Sequence, residues 1–505
     1  MKPFRKSIPV CILLLLFACF QESLAEEGKR KRPPLSPQTQ ACIGCHSRYT
    51  PGIVQDWLTS RHAKTTPAEA VKKPPLQRRI SVETPPAELA NHAVGCYECH
   101  SRNPGNHRDN FDHMGFRINV VVSPPDCSTC HPVEEKQYRG TKKPLAGKNL
   151  MENPLYHTLV STINGVKEIR DGKIVTRPPS ATTLQESCLG CHGSSVQVKG
   201  MKKIKTAMGE ITVPDLTNWP NQGVGRANPD GSLGTCTACH ARHSFSIEMA
   251  RSPYTCSQCH LEPDVPAWDV YKESKHGNIF FSKQQEWNFS AVPWVVGRDF
   301  TAPTCAVCHN SLIVSPSGEV IAERSHDFGA RLWVRIFGLI YTHAQPKSGD
   351  TTLIRNKEGL PLPTSLLTGE PASEYLIDKG EQERRRTMME NVCKSCHNTD
   401  WVHSHFEKMN VTIKETDAMV HAATTLMEEA WKSRVEDRTN PFDESIEEMW
   451  VKQWLFYANV VRYASAMTGA PDYISFKLGW WELTNNLRNM KDMIEMKKVL
   501  LKKGQ

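Results

Sequence analysis

One pentapeptide pattern decides what this chain can be. Cys-x-x-Cys-His occurs eight times, at Cys42, Cys45 and His46; Cys96, Cys99 and His100; Cys127, Cys130 and His131; Cys188, Cys191 and His192; Cys236, Cys239 and His240; Cys256, Cys259 and His260; Cys305, Cys308 and His309; and Cys393, Cys396 and His397. Random placement at this composition gives on the order of 0.02 such motifs. Two thiols three positions apart can both add to the vinyl groups of one haem edge, and the next histidine then reaches the iron from the proximal face. Zinc sites built from Cys-x-x-Cys pairs do not require a histidine after every pair. An adjacent histidine has no role in a disulfide framework. The expectation is eight covalently attached c-type haems, with iron as the metal.

The motifs use every cysteine except Cys11 and Cys19, two of the 18 in the chain. Those two fall in a segment that reads as a leader. Lys2, Arg5 and Lys6 precede the apolar run 10–20, and Ser23-Leu24-Ala25 offers small residues before Glu26, so residues 1–25 are expected to be a signal peptide. The apolar run falls short of the roughly 20 residues a span needs, and Leu16-Phe17-Ala18-Cys19 is a poor lipobox. The chain is expected to be exported, to a periplasm or an equivalent lumen, with no integral membrane segment. Its net charge of +8 is modest and interspersed, and no basic stripe marks a nucleic-acid binder.

Beyond the motifs stand twelve histidines: His62, His92, His107, His113, His157, His243, His276, His326, His343, His403, His405 and His421. Eight irons with two imidazoles each would use eight of them; one open iron would leave seven in use. The preferred second ligands are His62, His107, His113, His157, His243, His276 and His405, several of which lie near a motif in sequence. Each has the alternative of being a solvated or hydrogen-bonded histidine.

About 60 residues per motif leave little apolar material for an independent core, so porphyrin faces are expected to form much of the interior. Lys29 to Arg32 and Pro33-Pro34 read as a basic arm. Motifs five and six start only twenty residues apart, so their haems are expected to be neighbours. After His397 helical spacing appears at Met419, Ala422, Leu426 and Ala430, and again at Ile446, Trp450, Tyr457 and Val461, with Asp443 as a start signal. Trp480, Leu483, Leu487, Met490 and Ile494 form a short heptad seam, readable as a helix packed on its own domain or as a subunit contact. Strand alternation is scarce. The expected fold is mostly α: an octahaem body over 26–400, then a C-terminal antiparallel helical bundle over 401–505 that carries subunit contacts.

Two classes of function compete on these grounds. Electron transfer needs only six-coordinate haems; an enzyme needs one iron with an open position.

The residues resemble a family, the octahaem hydroxylamine oxidoreductases, over nearly the whole chain after the leader. The resemblance rests on the eight motifs in order and on Asp112-His113-Met114-Gly115-Phe116. It rests also on Gly225-Arg226-Ala227-Asn228-Pro229-Asp230-Gly231-Ser232 running into Cys236–His243, on Glu273-Ser274-Lys275-His276-Gly277, and on the long helical C-terminus. It implies a homotrimer with seven bis-histidine haems per subunit and one haem, that of Cys188, Cys191 and His192, open to small nitrogen compounds. It also implies that in oxidising members a tyrosine from a neighbouring subunit is crosslinked to that haem; Tyr473 is the candidate, then Tyr463. Relatives often read Pro-Asp-His after the sixth motif, a pair associated with proton transfer. Here the segment is Pro263-Asp264-Val265, and valine neither transfers a proton nor donates a hydrogen bond. His192, Asp264 and Tyr473 are therefore the expected catalytic set. The implied activity is oxidation of hydroxylamine or hydrazine, with electrons passed to a cytochrome c or another redox partner. The alternatives are nitrite reduction and electron transfer without catalysis.

Overall fold

A computed structural model describes residues 32–337 and 340–503. The leader, with Cys11 and Cys19, and most of the basic arm lie outside the described residues.

The motif-bearing body is made of short helices, because its residues start and stop them often. Proline opens many: Pro37–Tyr49, Pro51–Thr59, Pro67–Val71, Pro132–Arg139 and Pro154–Asn164 all begin on one. There its fixed φ suits the first turn and its missing N–H costs nothing. Ser36, Thr66 and Asn153 cap three of these helices by accepting backbone N–H bonds, each cap contributing about 1 kcal/mol. Single-turn helices carry the motifs themselves, as in Cys96–His100, Cys188–His192 and Cys305–His309. The helices of the first two motifs meet over Glu98, whose carboxylate accepts from Ser36 Oγ at 2.5 Å and Thr39 Oγ1 at 2.6 Å. Gly95 is needed at this contact, since a Cβ would lie 2.4 Å from Thr39 Cγ2.

Two hairpins were not expected. Val198–Thr206 pairs with Gly209–Leu216, and Val166–Arg170 pairs with Lys173–Arg177 through Asp171-Gly172, both at positive φ. That dipeptide is a strong hairpin signal. The flanking strands are exposed on nearly every residue, so neither face selects apolar residues and the period-two pattern is absent.

The C-terminal region is helical, and three segments run up, down and up. Along Thr399–Lys432 and the return through Ser445–Val451 and Ala458–Ala466, Trp431 bonds Glu447, Thr424 bonds Trp450 and Asp417 bonds Arg462, a strictly descending register. Trp480–Lys503 then reverses again, pairing Leu483 with Gln453 and Asn486 with Met449. The second segment starts at Glu444, whose capping box with Glu447 takes the place expected for Asp443. The heptad seam closes on its own chain: Leu483, Met490 and Ile494 are fully buried in one core with Val420, Met427, Trp450 and Val461. Those side chains are spent inside the fold and are not free to contact another subunit; the same helix exposes Trp481, Met496 and Leu500 instead. Among the described residues no helix is long and apolar enough to cross a membrane.

Candidate functional site

One continuous cavity of about 3150 Å³ threads the body and is lined by residues of all eight motifs. Shared among them it amounts to about 390 Å³ each, inside the range of roughly 300–1000 Å³ for cofactor sites. The sixteen described thiols are not joined in disulfides, and among the described residues no three His, Cys, Asp or Glu side chains converge as a bare metal site would require.

The thiols show how the motifs are ordered in space. Cys42 hydrogen-bonds Cys96, Cys127 bonds Cys236, Cys191 bonds Cys259 and Cys256 bonds Cys305. Cys99 and Cys130, Cys239 and Cys256, and Cys308 and Cys396 lie within electrostatic range. The motifs therefore follow one another as first, second, third, fifth, sixth, seventh and eighth, and the fourth branches from the sixth. The proximity expected of motifs five and six is present.

The histidines fit haem iron. Several motif rings anchor Nδ1 on a neighbour: His46 on Thr50 Oγ1 at 2.8 Å, His100 on the Asn119 carbonyl at 2.8 Å and His192 on the Ala146 carbonyl at 3.2 Å. This leaves Nε2 for a metal and fixes the tautomer. Across the cavity His113 faces His46 at 6.2 Å between ring centroids, His62 faces His131 at 6.3 Å, His326 faces His240 at 6.4 Å and His276 faces His397 at 6.1 Å. With metal–nitrogen bonds of about 2 Å, that is the separation two imidazoles have on opposite sides of one iron. His243 lines the cavity within electrostatic range of His100.

The remaining expected ligands sit elsewhere. His107 is buried between two carboxylates, 3.2 Å from Asp109 and 3.1 Å from Asp126, and does not line the cavity. His157 is exposed on its helix. His405 lines the cavity, but its Nε2 bonds the Ala466 carbonyl at 3.2 Å and its ring stacks on Trp401. His326 was in the sequence inventory but not among the preferred ligands; the seventh motif lies near it in sequence, yet the ring it faces belongs to the fifth. Its partner is brought to it by the loop after Val320–Ala322.

The fourth motif is strapped in place by backbone. Val224 N–H donates to the Cys191 carbonyl and Gly225 N–H to the His192 carbonyl. Gly193 has φ +95°, and a Cβ there would stand 2.2 Å from Arg226 N. Around His192 the charged and phenolic groups form a connected set. Asp264 lies within electrostatic range of His192, and burial pushes its carboxyl above the usual range. Tyr463 neighbours both Asp264 and Arg335, and Tyr156 neighbours Arg335. Lys142 neighbours Arg335 too, and donates to Gln345 Oε1 at 3.0 Å. Val265, Tyr156, Tyr463, Lys142 and Arg335 all line the cavity. Tyr473 does not; its hydroxyl donates to Glu262 and its ring packs on Val270, Val460 and Ala464. No sequence signal singled out Lys142, Tyr156 or Arg335, since each lies far along the chain from the fourth motif.

Comparison with known proteins agrees with this geometry. Residues 228–322 match a family model described as "Seven times multi-haem cytochrome CxxCH". A solved structure named "Hypothetical multiheme protein" is 43% identical, with TM-score 0.87 over 95% of this chain and 98% of that one. A Kuenenia stuttgartiensis reducing HAO-like protein complex shares the fold, at 16% identity and TM-score 0.59 over 92% of this chain and 86% of that one. A curated Kuenenia stuttgartiensis protein, "Probable nitrite reductase-hydroxylamine oxidoreductase fusion protein", is 26% identical over 288 residues, which are 53% of this chain and 25% of that protein. The chain thus spans about a quarter of the length of the curated relative it matches. With its motifs, mostly α fold and cavity, the chain belongs to the multihaem cytochromes and carries c-type haems.

Proposed function

We propose that this chain is an extracytoplasmic octahaem oxidoreductase that reduces a small nitrogen oxyanion, nitrite, at the fourth motif. The observation that carries this reading is a cationic stretch of the cavity lining, Arg335 and Lys142 with the phenols of Tyr156 and Tyr463, which connects to His192 through Tyr463 and Asp264. Neutral hydroxylamine gains little from two half-buried cations, whereas an anion repays their partial desolvation. His113, His62, His243, His326 and His276 would help hold the haems of motifs one, three, two, five and eight, and His192 would hold the fourth, leaving its other face to substrate.

When bound, the fourth haem supplies an iron position for the substrate nitrogen and a route for electrons. Arg335 and Lys142 draw the anion in and orient its oxygens. Tyr156 and Tyr463 donate hydrogen bonds to those oxygens. Asp264, whose carboxyl burial holds above its usual range, is the carboxyl within electrostatic range of His192 that can carry a proton, a duty that Val265 cannot share. A cytochrome c or another redox partner would supply the electrons, and the order of the thiol contacts sets which motif haems would be neighbours. As in the family resemblance, the assembly is a homotrimer.

A second reading is favoured by Tyr463 beside Asp264 at the cavity wall: oxidation of hydroxylamine or hydrazine with a tyrosine, Tyr463 or a neighbouring subunit's Tyr473, crosslinked to the haem. Steady-state assays separate the two. Reduced dye with nitrite should turn over, and hydroxylamine or hydrazine with oxidised cytochrome should not. Turnover in the oxidising sense only, with a reduced-state band beyond the ordinary c-type α band, would replace the first reading by the second.

A further inference from the structure

Among the described residues, no histidine outside the motifs neighbours His260. The charged neighbours of His260 are Lys143 first, then His309 and His192, each of which serves its own motif. Lys143 Nζ lies 3.1 Å from His260 Nε2, the nitrogen a c-type motif presents to iron. The same ammonium lies within electrostatic range of Cys256 and Cys259, both thiols of that motif, and of Cys239 in the fifth. Its nearest aromatic face is Phe328, 5.6 Å from the ring centroid. The main chain sets its direction: Lys143 N–H donates to Thr141 Oγ1 at 3.2 Å, and its carbonyl accepts from Ala146 N–H at 3.2 Å.

We propose that the amine of Lys143 is the second axial ligand of the iron at the sixth motif, opposite His260, making this a His/Lys site among His/His ones. Axial nitrogens on one metal stand about 4 Å apart with bonds of about 2 Å, and the flexible four-carbon stem of lysine takes up the difference from 3.1 Å. The neutral amine offers one lone pair, which is what a sixth ligand needs; an arginine could not replace it, because guanidinium stays protonated. The placement has a consequence for the site next door. Ala146, three residues along the same loop, holds His192 Nδ1, and Cys259 of the sixth motif bonds Cys191 of the fourth. The ligand to the sixth iron and the anchor of the candidate substrate haem therefore share one short loop.

The inference rests on haem attachment at the sixth motif, which a pyridine haemochrome count tests by itself. On the ferric holoprotein, low-temperature electron paramagnetic resonance and near-infrared magnetic circular dichroism read axial ligands directly. One low-spin haem should show an amine–imidazole charge-transfer band at shorter wavelength than the bis-imidazole population. Lys143→Ala and Lys143→Arg should both remove that band and convert one haem to a high-spin or water-ligated form at unchanged haem count. A wild-type spectrum without an amine–imidazole band overturns the proposal, whatever the variants do. So does persistence of the band in Lys143→Arg, which keeps the charge and tests ligation apart from folding.

Discussion

His240 and His326 face one another at 6.4 Å between centroids with their ring planes 25° apart, although they belong to distant parts of the chain. Nδ1 of His326 is buried without a hydrogen-bond partner, which fits a ring reserved for the haem of the fifth motif. His326→Ala is expected to leave the haem count unchanged and to turn one low-spin iron high-spin and reactive to carbon monoxide. Unchanged spin states in the purified variant would refute the pairing.

Substrate binding should follow the charge of Lys142. Burial and the nearby Arg335 and Arg385 bring its ammonium down to about 7. Its cation is present below that pH and lost above it, so KM for nitrite should rise as pH climbs through 7 while saturated turnover changes less. Arg335→Ala should raise KM by roughly tenfold to a hundredfold, the worth of about 1.5–3 kcal/mol for a charge-assisted hydrogen bond. A pH-independent KM would remove Lys142 from the binding site.

His107 is predicted to hold the fold together and not to ligate iron. Burial alone would lower its pKa, but Asp109 and Asp126 outweigh it and lift it to about 10. A histidine raised in the folded state contributes stability that is complete below about 6.5 and lost as pH rises through 10. His107→Ala should cost about 3–5 kcal/mol, as breaking a buried ion pair does, and leave the low-spin spectrum untouched. A new high-spin signal would instead make it a ligand.

The bundle carries a pH dependence of the same sign, in a more acidic window, at Glu447. Its carboxyl is fully buried, accepts from Trp431 Nε1 at 2.7 Å and from two backbone N–H groups, and is pushed by burial to about 7. The folded state therefore holds a proton that the unfolded chain releases near 4.5. Stability should fall by up to about 3 kcal/mol as pH rises from 4.5 to 7, then level off. Denaturant melts of Glu447→Gln should lack this slope; a slope equal to that of the parent would assign it to another group.

Asp417 should be indispensable to the same bundle. Arg462 is fully buried and donates to Asp417 Oδ1 at 2.5 Å and to the Ile340 carbonyl at 3.1 Å. Asp417→Ala strands that guanidinium, at a cost of about 3–5 kcal/mol. Thermal melting should drop several degrees, and a drop indistinguishable from that of a surface control such as Asp400→Ala would argue against the pair.

What the sequence by itself determined was local chemistry. Thioether attachment and the proximal ligand need five consecutive residues, so all eight motifs were legible, as were the C-terminal helices, whose apolar spacing records the face they bury. The heptad at Leu483, Met490 and Ile494 showed a buried seam but not its partner, because one periodicity suits a neighbour in the same chain or in another. The hairpins were hidden, since strands exposed on both faces carry no alternation. Second ligands were legible only in part. His113, His62 and His326 each lie near one motif in sequence yet face the ring of another, Lys143 meets His260 through a long excursion, and His107, equally close to a motif, is taken by two carboxylates. Only the tertiary structure brought those rings face to face and linked Lys142, Tyr156, Arg335 and Tyr463 to one another along the cavity. The reason is physical: attachment is bonded along the chain, but an axial ligand or a substrate cation acts through space, and any of many residues can satisfy it until the fold chooses one.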